Sequence, residues 1–238
     1  MNGVKRVREL PFLGEAFGAI RSNFLPGLVL QAAMLVGVGF YLFHQDFRNG
    51  LAGVAEIKRQ MGFTFAFLSY VFAGALLPEL IKLLCFQKLR PAWQNLKDFA
   101  VAAPFFGCFG VTIDLLYRLQ TILFGLGEDP ATIARKVAFD QFVFSPFLGT
   151  PATLIYFSWA AGGFRWRALV RGAALPGLAW RVLTVQAAGW MVWIPAVTVI
   201  YCLPALLQLP LAVTITAFWV LILTTIRLRQ EAASEFTK

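Results

Sequence analysis

Charge is what this chain has least of. Only 14% of its 238 residues are charged, while 59% are hydrophobic; a soluble domain carries roughly 25% charged residues. That shortage excludes an ordinary water-facing globule, because too few polar groups exist to cover one. Histidine is nearly missing: His44 stands alone, which leaves a Ser-His-Asp arrangement or a histidine metal site without material. Cys85, Cys108 and Cys202 lie far apart, so they form neither a disulfide framework nor a metal-ligand spacing. The sequence also has no phosphate-cradling glycine loop and no nucleophile–base pair. No cofactor, no metal and no enzymatic activity are expected.

What is present is a series of apolar runs of about 20 residues, each long enough to cross a roughly 30 Å hydrocarbon core as a helix. The runs are apolar on both parities, which excludes the alternating pattern of a barrel. The fold class expected is therefore all-α, a multi-pass helical membrane protein of about six transmembrane helices. Their expected bounds are 25–43, 62–81, 99–126, 137–160, 182–203 and 208–226, with a tight Pro204–Pro210 turn joining the last two. Residues 1–24 read as a basic amphipathic segment on the membrane surface, and 25–238 as one transmembrane domain. The basic start lacks a cleavage site, so no cleavable signal peptide is expected.

The net charge is +9, but its cations are spread between apolar runs. Anionic lipid headgroups are thus the expected partners, nucleic acid is not, and a homo-oligomer is left open. On six spans, fifteen of the 21 lysines and arginines fall on one side and six on the other. The positive-inside rule then places both termini in the cytoplasm or matrix, in a bacterial inner membrane or an organelle membrane such as the mitochondrial inner membrane. Trp159, Trp166 and Trp180 fit an interfacial aromatic belt, and 161–181 a segment lying in the interface.

Polar residues inside the apolar runs are the candidate functional groups. Asp114 lies deep in the third run, where an unpaired carboxylate costs roughly 2.5–3.5 kcal/mol. Arg118 follows four residues later on the same face and can pair with it. Gly107, Gly110, Asp114, Tyr117 and Thr121 share one stripe. Such a stripe is either a buried face that lets another helix approach closely, or the lining of a water-filled path. Glu79 and Lys82 read as boundary residues, and Gln31 and Gln186 as helix–helix hydrogen-bonding groups. In KVAFDQFVFSP, Lys136 is expected at the headgroups and Asp140 and Gln141 at the mouth of the fourth span. Pro146 is expected to kink that span, orphaning the carbonyl of Phe142.

Lys136, Asp140, Gln141, Phe144 and Pro146, continuing to Phe147-Leu-Gly149, carry a likeness to a known signature. They resemble the Lys…Asp-Gln…Phe-x-Pro pattern of the Mpv-seventeen / twenty-two-kilodalton peroxisomal membrane protein family. Gly110…Tyr117 keeps the Gly-to-Tyr spacing of an upstream family motif. Trp190, Trp193 and Pro195, then Pro204 and Trp219, follow the order of its downstream motifs. The likeness covers about residues 105–225. The chain departs from the pattern at Val111, Leu116, Thr121, Val199-Ile200 and Gln208, and by one extra residue between Trp193 and Pro195. The resemblance implies a multi-pass protein of organelle membranes that acts as a non-selective solute channel. The leading expectation is accordingly a membrane protein that forms or supports a small-solute channel. The alternatives are a structural or assembly protein without transport activity, and a lipid-active enzyme built on Glu128, Asp129, Arg135 and Asp140.

Overall fold

The computed structural model describes residues 11–173 and 175–235, the side chains of 11–23, 26, 175, 176, 188 and 222–235 excepted. Helices make up nearly all of it, and the described residues contain no strand. In chain order they are α1 (Pro11–Phe43), α2 (Gln45–Met61), α3 (Phe63–Val71), α4 (Leu77–Ile81), α5 (Trp93–Phe124), α6 (Pro130–Phe139), α7 (Thr150–Ala161), α8 (Trp166–Gly172), α9 (Leu175–Tyr201) and α10 (Ala205–Glu235). Two π-helical segments, Phe72–Leu76 and Asp140–Gly149, join neighbours into longer helical paths, and a third, Lys82–Phe86, extends α4 to its end.

Among the described residues, two helices are long and apolar enough to cross a membrane, Phe63–Phe86 and Trp93–Phe124. The number rises to four if each of two bent helix pairs is one span. The expected spans 62–81 and 99–126 overlap those two helices, except that Gly62 and residues 125–126 lie just outside them. The expected span 25–43 is the second half of α1, and α2 leaves it at His44 with a bend of 103°. Segment 137–160 lies within the continuous helical path 130–161, and the last two segments correspond to α9 and α10. The helix α1 runs on through the expected boundary at 24/25, while residues 1–10 lie outside the described residues.

Residues 45–61, between the first two expected spans, are the amphipathic helix α2, which ends where Gly62 takes φ 56°. One expectation about a connection is corrected. The connection from α9 to α10 is not a turn spanning Pro204–Pro210: α10 begins at Ala205, with Pro210 inside it. Pro210 is the sixth residue of α10, past its first turn, so its missing N–H takes the α-helical donor from the Leu206 carbonyl.

The described chain divides into two compact units, 11–28 with 138–194, and 29–137 with 195–235. In the second, α3 packs lengthwise on α5, using small residues. A Cβ on Gly107 would stand 2.3 Å from the Phe67 ring, and one on Gly110 would stand 2.5 Å from the Ala66 carbonyl oxygen. Only glycine lets the backbones come this close. The start of α5 is fixed by Asn95, whose side-chain oxygen accepts the Ala92 N–H at 2.9 Å. Beside it Lys82 bridges Glu79 at 2.6 Å and Asp98 at 3.3 Å, so these residues tie the helix ends together. In the first unit, Gly172 of α8 packs against Ser158 of α7, and Arg181 donates to the Ser158 hydroxyl at 2.7 Å.

Candidate functional site

Two polar constellations stand inside apolar surroundings, one in each unit. The first is built on α5. Asp114 is 1% exposed, and its Oδ2 accepts from Arg118 Nε at 2.8 Å, one helical turn further on. Its Oδ1 lies 3.2 Å from Nζ of Lys58 on α2. That contact is ionic in distance but not aligned as a hydrogen bond. The Lys58 side chain is 8% exposed, whereas that of Arg118 is 53% exposed. The Arg118 guanidinium also lies 4.5 Å from the centre of the Phe63 ring, a cation–π contact. The three groups sum to one positive charge.

The remaining residues of the α5 stripe face protein. Tyr117 is buried, its ring edge-on to Tyr201 at 5.8 Å. The Thr121 hydroxyl donates back to the Tyr117 carbonyl at 3.0 Å, which satisfies it within its own helix. Gly107 and Gly110 are filled by Phe67, Ala66 and Tyr70. Of the expected lining residues in this unit, Asp114 and Arg118 therefore meet at one charged centre, while the Thr121 hydroxyl is satisfied within its own helix.

Lys58 is a functional candidate outside the sequence expectations, because it lies between two apolar runs and not inside one. The signal was available: Leu51, Val54, Ala55 and Lys58 fall on one stripe of a 3.6-residue helix, so Lys58 occupies an apolar face. Gln120 was missed too; it is 1% exposed, and its amide nitrogen lies 3.4 Å from the Lys136 carbonyl. Lys136 was expected at the headgroups and is instead buried, 3% exposed.

The second constellation centres on the π-helical segment Asp140–Gly149. Gln141 donates from Nε2 to Asp140 Oδ1 at 3.0 Å, and both residues are buried. Pro146 has no N–H to give. In the i→i+5 register of a π-helix, the carbonyl thereby left without its helical donor is that of Gln141, not that of Phe142 as an α-helical register implies. That carbonyl accepts instead from Trp190 Nε1 at 3.2 Å and from Gln186 Nε2 at 3.4 Å, both on α9. Gln186 Oε1 in turn accepts from Ser145 at 3.0 Å and Thr150 at 2.7 Å. The Phe142 and Trp190 rings meet at 5.1 Å.

Asp140, Gln141, Pro146 and Trp190 are thus brought together, although up to fifty residues separate them in the chain. Trp193 and Trp219 are half-buried on α9 and α10, Pro195 is exposed within α9, and Pro204 is exposed just before α10. Neither constellation has the donor set of a metal centre, and no group of three or more His, Cys, Asp or Glu stands together among the described residues. Asp129, proposed above as part of an enzyme cluster, caps α6 by accepting the Ala131 and Thr132 N–H groups at 3.1 and 3.0 Å. Compared with protein-family models, curated proteins and solved structures, the chain has no match.

Proposed function

We propose that the chain is a multi-pass integral membrane protein of about six spans that forms or supports a pathway for small solutes. The observation that carries this reading is the charged centre on α5. A buried carboxylate is paired with a buried lysine inside an apolar helix bundle, and the second partner of that carboxylate, Arg118, is half exposed. Ionisable residues at such depth are costly, and they mark solute paths and switching elements in membrane proteins. The excess positive charge suits solutes that are anionic or polar. Two further features favour a conducting protein over an inert one: the sharp break at His44, and π-helical segments within apolar helices.

Membership of the Mpv-seventeen family belongs to the same proposal. It is supported by the meeting of the Asp140–Gln141 pair with Trp190, residues drawn from separate parts of the family pattern. The topology with both termini on the cytoplasmic or matrix side is part of it too. Burial of Lys58 and Lys136 removes two cations from the less basic side and sharpens the charge asymmetry.

A second reading, a structural or assembly protein, is favoured by one specific observation. Gly107, Gly110 and Tyr117 are closed by neighbouring side chains, so most of the stripe is packing. Thiol labelling separates the two. In a background lacking Cys85, Cys108 and Cys202, a cysteine at Arg118 reacts with a membrane-impermeant reagent if a watery path reaches it. Cysteines replacing Leu115 and Leu119 on lipid-facing positions do not. If position 118 is as inert as those two, the structural reading replaces the pathway.

A further inference from the structure

We infer that the groove-like cavity lined by α1, α2, α3 and α10 holds one acyl chain of a membrane phospholipid. The inference rests on the membrane reading above and adds a binding site to it. The cavity measures about 390 Å³ and lies wholly within the second unit. It falls at the lower end of the roughly 300–1,000 Å³ typical of small-ligand sites. Leu30 and Tyr41 line it eleven residues apart on α1, a distance of about 16 Å along a helix. The space is therefore elongated, as an alkyl chain requires.

Among the described residues no charged side chain lines the cavity, and the only hydroxyls are those of Tyr41 and Thr214. The Thr214 hydroxyl already donates to the Pro210 carbonyl at 2.9 Å. Water needs two to four polar partners to remain in such a place, so water does not fill it. Left empty, the cavity would deprive its walls of dispersion contacts. A flexible apolar chain satisfies both conditions.

Polarity selects a phospholipid among apolar occupants. At one end Tyr41 and Phe47 bring the cavity to the break between α1 and α2, where polar His44, Gln45, Asp46, Arg48 and Asn49 gather. Arg48 is held there by donating to the Leu42 carbonyl at 3.1 Å. An apolar groove that ends at a polar cluster with both a cation and an anion matches a chain ending in a zwitterionic or anionic headgroup. Phe40, Leu42 and Phe43 beside it are exposed, which suits immersion in lipid.

Gly37 supplies the test. It lines the cavity, and a Cβ built there meets nothing within 4 Å, so Gly37→Leu can start its side chain into the space without strain at Cβ. Gly39 is equally open but does not line the cavity, which makes Gly39→Leu the matched control. The full chain is extracted in mild detergent and examined by native mass spectrometry. The wild type and Gly39→Leu are expected to retain one phospholipid, and Gly37→Leu at least tenfold less. A phospholipid bearing a photoreactive group in its acyl chain is expected to label the wild type at Tyr41, Phe47 and Leu207, with unlabelled phospholipid competing. This arm does not depend on any variant folding. Equal retention by Gly37→Leu and Gly39→Leu, or label spread evenly over exposed positions such as Leu35 and Phe72, overturns the inference. Alkaline extraction of membranes tells its failure from failure of the underlying reading: protein released by alkali contradicts membrane integration itself, whereas protein that stays embedded but retains no lipid contradicts the acyl-chain site alone.

Discussion

Removing Lys58 and removing Asp114 should have unequal costs, and removing both should cost less than either alone. In Lys58→Met the buried Asp114 keeps Arg118 Nε at 2.8 Å, so half of its compensation survives. In Asp114→Leu, Lys58 is left as a buried cation with Arg118 as its like-charged neighbour. Breaking a buried ion pair from one side costs about 3–5 kcal/mol, whereas replacing the whole pair with apolar groups is often neutral. Lys58→Met is therefore expected near the bottom of that range and Asp114→Leu near the top. These costs correspond to roughly two to four powers of ten in the folding equilibrium. The double variant is expected within about 1–2 kcal/mol of wild type, giving a coupling energy of several kcal/mol. Arg118→Met is expected to cost only about 1 kcal/mol, because that side chain is 53% exposed and solvent screens its pairing. Reversible unfolding in mixed micelles measures all four. If the single costs fall below about 1 kcal/mol each, or simply add in the double variant, Lys58 and Asp114 do not form the centre described.

Three other outcomes test the local arguments. Trp190→Phe keeps the ring beside Phe142 but removes a donor from the Gln141 carbonyl, and is expected to destabilise by about 1 kcal/mol. Pro146→Ala supplies the missing N–H and should shrink that loss in a double-mutant cycle; equal losses in both backgrounds would contradict the π-register account. Gly110→Ala should destabilise by about 1–3 kcal/mol, because its Cβ meets the fixed Ala66 carbonyl oxygen. Gly107→Ala should cost less, since it meets the turnable edge of the Phe67 ring, and the reverse order in thermal melts would contradict the close approach of α3 and α5. The Asp129 carboxyl, held below its ordinary value of 3.8 by the Thr132 hydroxyl and backbone donors, stabilises the start of α6 when ionised. Its folded pKa is depressed, so this stability is fully present above about pH 4 and is lost as pH falls further. Asp129→Asn should flatten the acid limb of the stability profile, and an unchanged limb would show that the carboxylate does not cap α6.

Much of the helical architecture was legible because lipid-compatible runs declare themselves by length. The runs at 62–81 and 99–126 needed no tertiary information to be read as helices. The Asp114–Arg118 contact was legible for the same reason, since four residues along a helix fixes a shared face. Lys58 was hidden by a habit of counting: a lysine between two apolar runs passes for a loop cation unless the 3.6-residue stripe of α2 is examined. The Gln141 carbonyl was hidden by register. An α-helix assigns the proline's missing donor to Phe142, and only the wider π turn moves it to Gln141, where Trp190 and Gln186 compensate. Contacts of that range, forty-five and forty-nine residues apart, depend on packing that local sequence does not encode.

Solute release from liposomes tests the central claim most directly. Purified protein is reconstituted into sealed vesicles loaded with small anionic and neutral solutes, beside protein-free vesicles and vesicles holding Asp114→Asn or the Lys58→Met/Asp114→Leu variant. Wild-type vesicles are predicted to release the small solutes faster than protein-free ones, with release altered at least tenfold in folded variants of the charged centre. Release no faster than from protein-free vesicles, by wild-type protein shown to be folded and inserted, would contradict the account.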